Sequence, residues 1–196
     1  MQTITKAYDT YKQAHGAVEE LQTAGIPMSE ISVLANHKAG EQHGDFEGLE
    51  QGTEAGAGAG LGAAIGGAAG LLAGLGLMAI PGLGPVVAVG WLATTALGVA
   101  AGGATGGIVG SLIESGVSEE HAHVYSETVR RGGTLVSVQT EDHDVTKVNS
   151  ILGNYMPLDP VAQAATYRRN GWNKFDSEAA PFESVRIAAE RERRLM

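Results

Sequence analysis

The chain has no cysteine. This excludes a disulfide scaffold, thiolate metal sites and a cysteine nucleophile. Aromatic residues make up only 5% of its 196 positions, so a large aromatic core is not expected. Basic side chains are in deficit, 13 against 22 acidic, giving a net charge of −9. Phosphate neutralisation needs clustered Lys and Arg, so nucleic acid is not an expected partner. The most local absence is charge itself. From Ala55 to Ile113, 59 residues pass without Asp, Glu, Lys, Arg or His. The N-terminal MQTITKAYDTYKQ has no apolar core of the secretory type, so retention on the cytoplasmic side is expected.

The uncharged block holds 18 Gly and 15 Ala, and its glycines are periodic. Gly58, Gly62, Gly66, Gly70 and Gly74 recur every four residues before the Pro81-Gly82-Leu83-Gly84-Pro85 stretch; Gly98, Gly102, Gly106 and Gly110 do so after it. Residues four apart share a helix face, and small residues there let backbones approach closely. Pro81, Gly82, Gly84 and Pro85 predict a turn. The spacing therefore predicts a glycine-zipper helical hairpin over 55–114, with arms about Gly56–Ile80 and Val86–Ile113. At about 1.5 Å per residue either arm spans the roughly 30 Å of a bilayer core. A two-pass membrane hairpin is the leading expectation, with a hairpin buried in a homo-oligomer as the alternative. Arg130 and Arg131, close after the second arm, would hold the flanks in the cytoplasm.

The flanks read as α/β. Thr3 to Thr5 suggest a strand within Met1–Ala7, Asp9 is a candidate cap, and Ala14, Ala17, Val18 and Leu21 mark a helix ended by Gly25. Ile31, Val33 and Ala35 alternate as a second strand. Residues 38–54 are a polar, acidic linker. Ser118 can cap a helix running to Arg131, stopped by Gly132–Gly133. Thr134–Thr140 is the clearest strand, and Asp142 or Asp144 can cap a helix ended by Gly153 or Asn154. A short strand near Pro157–Asp159 completes the pattern. Neither flank alone has the bulk for a core. The predicted class is α+β: one split ferredoxin-like sandwich with helices on one face of its sheet, formed by 1–37 and 115–160 around the hairpin. Residues 161–196 form a tail with a helix from Phe182 to Leu195.

The segments GAVEELQTAGIPMSEISVLA (16–35) and YSETVRRGGTLVSVQTEDHDVTKVNSILGNY (125–155) flank the glycine-rich stretch, and YRRNGWNKFD (167–176) follows. In this layout the chain resembles the bacterial general-stress and low-temperature-induced protein family. The resemblance implies a bacterial, stress-associated, membrane-linked protein with no established chemistry.

No residue constellation reaches catalytic grade. His121 and His123 point about 200° apart on a helix and cannot share a metal. His37 and His43 flank a loop; Asp142-His143-Asp144 reads as capping. The glycine rows lack the lysine of a phosphate loop, and no serine has a G-x-S-x-G context. No cofactor or metal is expected. Trp172, Phe175, Arg186, Arg193 and Arg194 are candidates for contact with lipid or another subunit. The resulting expectation is a non-enzymatic, stress-associated structural protein of the inner membrane, self-assembled through the glycine rows, with membrane lipid and its own copies as partners. A soluble cytoplasmic assembly is the alternative in location. A membrane-anchored small-molecule sensor and an oligomeric pore are the alternatives in function.

Overall fold

A computed structural model describes residues 1–37, 76–92, 107–180 and 182. Its fold is mixed α+β, built on a five-stranded antiparallel sheet. The elements run β1 (Gln2–Tyr8), α1 (Tyr11–Thr23), a short 3-10 turn (Met28–Glu30), β2 (Ile31–Asn36), β3 (Gly76–Ile80) and β4 (Gly84–Val89). Then follow α2 (Gly107–Glu114), α3 (Glu119–Arg130), β5 (Thr134–Thr140), α4 (Val145–Asn154) and α5 (Pro160–Arg169). The strand order is β1-β5-β2-β4-β3. β5 therefore lies between β1 and β2, antiparallel to both, which makes β1-α1-β2 a split βαβ unit.

Strand alternation divides the core in two. Ile4, Tyr8, Val33, Ala35, Val87, Val136 and Val138 face α1 and α4, which contribute Val18, Leu21, Val148 and Leu152. The intervening Ala7, Leu34, Val86, Ala88 and Leu135 face α2 and α3, which contribute Ile108, Leu112, Ala122, Tyr125 and Val129. Each fully buried Val, Leu or Ile among them contributes about 1.5–3 kcal/mol of transfer free energy. The sheet is thus covered on both faces, where helices on one face were expected: α3 does not join α1 and α4 but packs with α2 on the opposite side.

Local signals explain most element ends. Ser118 accepts from the His121 amide to start α3, as its position suggested. Asp9 is not the cap of α1. Thr10 is, through a reciprocal capping box with Gln13: the Gln13 amide donates to Thr10 Oγ1 at 3.2 Å, and the Thr10 amide donates to Gln13 Oε1 at 3.1 Å. α1 ends as expected, with the Ile26 amide donating to the Leu21 carbonyl around Gly25. Asp144 stands at the N-cap of α4 without a side-chain capping bond. The strand expected near Pro157–Asp159 is reduced to one bridge, Leu158 beside Ala7. α5 was not foreseen; Asp159 caps it with Pro160 in its first turn.

The helical hairpin requires correction over Gly76–Val89. Gly76–Ile80 and Gly84–Val89 are strands, not the inner ends of two helices. The physical reason is the edge left open by β2. Val86, Val87 and Val89 are β-branched, and pairing Val86–Val89 with Val33–Asn36 satisfies both backbones and buries side chains on both faces. Gly107–Glu114 is helical as expected, but its eight residues span only about 12 Å. Among the described residues no helix is long and apolar enough to cross a membrane. The transmembrane assignment, and the inner-membrane location built on it, are therefore withdrawn. The glycine rows Gly58–Gly74 and Gly98–Gly106, and the tail helix from 183 onward, lie outside the described residues.

Candidate functional site

The residues singled out in the sequence fall in three places. Gly110 lies within α2, where a Cβ would meet nothing within 4 Å. Pro81, Gly82 and Leu83 form the predicted turn, but it joins β3 to β4; Gly84 and Pro85 open β4. Trp172 and Phe175 pack on their own chain. Trp172 meets the Tyr167 ring edge-on at 5.7 Å, and Phe175 is buried beside α3. Arg186, Arg193 and Arg194 lie outside the described residues, as does His43.

The β3–β4 turn is held unusually closely. Gly82 has φ +77°, and a Cβ there would stand 2.7 Å from Ser177 Cα and 2.8 Å from the Asp176 carbonyl oxygen. The C-terminal segment therefore lies backbone to backbone on the turn. Leu83 is fully buried, its amide donating to the Ile80 carbonyl at 3.0 Å. At the other end of β4, Ser32 Oγ donates to the Val89 carbonyl at 2.8 Å and accepts from the Leu92 amide at 3.2 Å.

Beside the turn lies a buried ion cluster. Glu127 has no exposed surface, and Arg130 and Arg131 are 8% and 7% exposed. Arg131 Nε donates to Glu127 Oε1 at 2.6 Å, and Arg130 Nη2 donates to the same oxygen at 3.0 Å; Arg130 Nε is 3.0 Å from Oε2. Both guanidiniums are roofed by rings. Arg130 lies 5.8 Å from the Phe175 centroid and 4.9 Å from that of Phe182; Arg131 lies 4.4 Å from Tyr167 and 5.2 Å from Phe182. The helix favours this placement, because cations at its C-terminal end oppose the macrodipole. The cluster joins α3 to the tail. The Tyr167 hydroxyl is itself tied to Thr128 Oγ1 at 3.0 Å, so the cluster braces α3 against the tail. Glu-x-x-Arg-Arg at helical spacing was its signal in the sequence, overlooked because both arginines were read as membrane-flanking charges.

The histidines are dispersed. His15 is 3.5 Å from Glu19, His123 is 3.9 Å from Glu119, and exposed His143 lies between Glu141 and Asp144. Among the described residues no group of three or more His, Asp or Glu is placed to hold a metal ion.

The two margins of the sheet differ. β1 carries Lys6 and is partly covered by Leu158, whose amide donates to the Ala7 carbonyl at 2.7 Å. β3 has β4 on one side and, among the described residues, no strand on the other. Its sequence, Gly-Leu-Met-Ala-Ile, has no charged or polar side chain. This margin was missed because the segment was read at helical period; the β-branched run of Val86, Val87 and Val89 after Pro85 was the available signal.

No family model matches this chain, and comparisons with curated proteins and with solved structures give no match.

Proposed function

We propose that this chain is a non-catalytic, self-associating protein. In this reading the α/β sandwich is the platform, and the uncharged segment makes the contact between copies. One observation carries it: the described middle of that segment is not a loop but the uncharged margin of the sheet, β3, braced from behind by β4. Electrostatics favours the same region. Copies of net charge −9 repel one another, and residues 55–113 are where they meet with no charge. Glu127, Tyr8 and Tyr125 are buried and engaged structurally, in the ion cluster and in hydrogen bonds to backbone carbonyls, and this supports a scaffold over an enzyme.

The split βαβ unit, with α1 and α4 on one face and Leu158 beside β1, supports a ferredoxin-like reading of the sandwich. β4 and β3 then extend that sheet beyond β2, and α2 and α3 close its second face. The resemblance to general-stress proteins belongs to the same proposal. Sedimentation velocity of the full chain over a wide dilution series tests it. The expected result is a discrete multimer that dissociates on dilution; a monomer throughout contradicts it.

A further inference from the structure

We infer that the outer margin of β3 pairs antiparallel with β3 of a second copy, about a twofold axis at Met78. This rests on the self-association reading and names its contact. A strand at a sheet margin presents a row of backbone donors and acceptors, and proteins normally guard it with charge, proline or a covering segment. The β1 margin has two of these guards, Lys6 and Leu158. Gly76–Ile80 has neither charge nor proline, and the nearest ionisable residues in the chain are Glu54 and Glu114.

The occupant follows from symmetry and charge. Antiparallel pairing of two identical strands is isologous, so one twofold satisfies both copies at once. Met78 then faces Met78 of the second copy, Leu77 faces Ala79, and Gly76 faces Ile80, with no charge brought to the axis. Two five-stranded sheets become one continuous sheet. The margin is also held in place for this: the β4 ladder fixes it from inside, and the turn at Gly82 is clasped by Phe175, Asp176 and Ser177. A preformed strand loses little conformational freedom on pairing.

Ala79 is exposed, and Ala79→Lys brings a charge to the margin without entering the core. The test is sedimentation velocity of the full wild-type chain and of Ala79→Lys, with circular dichroism melts as the fold control. Alongside it, amide hydrogen exchange across β3 is followed in the wild type as a function of concentration. The expected result is a wild-type multimer, loss of that multimer in Ala79→Lys with a melting temperature matching that of wild type diluted to monomer, and β3 amides that exchange faster on dilution. Multimers of both proteins, with β3 exchange independent of concentration, overturn the margin pairing and leave self-association standing. A monomeric wild type overturns both. Should Ala79→Lys fail to fold, the wild-type exchange measurement decides alone.

Discussion

The two margins of the sheet solve the same problem in opposite ways. At β1 the chain returns to its own edge. Leu158 bridges Ala7, Tyr8 sends its hydroxyl to the Leu152 carbonyl at 2.9 Å, and Tyr125 sends its own to the Thr5 carbonyl at 3.2 Å. At β3 the bracing is all from behind, through β4, the Gly82 turn and the aromatic-roofed ion cluster, while the outer side carries no guard among the described residues. The difference teaches that polar and charged groups in this fold seal one edge and stiffen the other. Several perturbations should separate the two.

The largest effect is expected from Glu127→Ala. It leaves two buried guanidiniums without their shared carboxylate, and breaking such a buried set costs about 3–5 kcal/mol. Chemical denaturation measures the loss. Hydrogen exchange should show β3 and β4 loosening before β1, because the cluster braces the segment that clasps their turn. Equal loosening at both margins would contradict that division.

Alkali should act on the other margin. Burial raises the Tyr125 hydroxyl to about 12 and raises Tyr8 as well, from an ordinary value of 10.0. The unfolded chain releases these protons first, so the stability is fully present below pH 10 and is lost as pH rises from 10 through about 12. Tyrosinate absorbance and unfolding should therefore rise together in that window, and Tyr125→Phe should flatten the slope.

Gly82→Val combines a positive φ with contact against the Ser177 backbone, a strain of about 1–3 kcal/mol. It should lower the melting temperature and weaken self-association together, since it disturbs the support of β3. The smallest effect is expected for Tyr8→Phe, which removes one hydrogen bond and leaves the Leu152 carbonyl unpaired, a loss of about 1 kcal/mol. It should lower the melting temperature with no change in self-association.

The flanking elements were legible because their signals are local. The α1 stripe, the Gly25 stop, the Ser118 cap and the β5 run each depend on a few neighbouring residues, and each stands where the sequence put it. The uncharged segment was misread because glycine and alanine carry little periodic contrast. For Gly76–Val89 the deciding partner is β2, at least 50 residues away in sequence from the β4 residues it pairs with, and long-range pairing outweighed the local glycine spacing. The second covered face was hidden for a related reason: the pattern of α3 shows which side is apolar, not which side of the sheet receives it. The brace at Glu127 was visible as spacing, but its rings arrive from Tyr167, Phe175 and Phe182, remote in sequence.

The absence of cysteine makes the central claim directly measurable. Antiparallel strands place facing Cα atoms about 4.5–5.5 Å apart, within the roughly 4.4–6.8 Å that a disulfide bridges. Met78→Cys supplies a sole thiol on the inferred twofold axis, and Thr3→Cys supplies one on the guarded β1 margin. Under mild oxidation the account predicts a covalent dimer from Met78→Cys and monomer from Thr3→Cys. Monomer from both, or equal dimer from both, would contradict it.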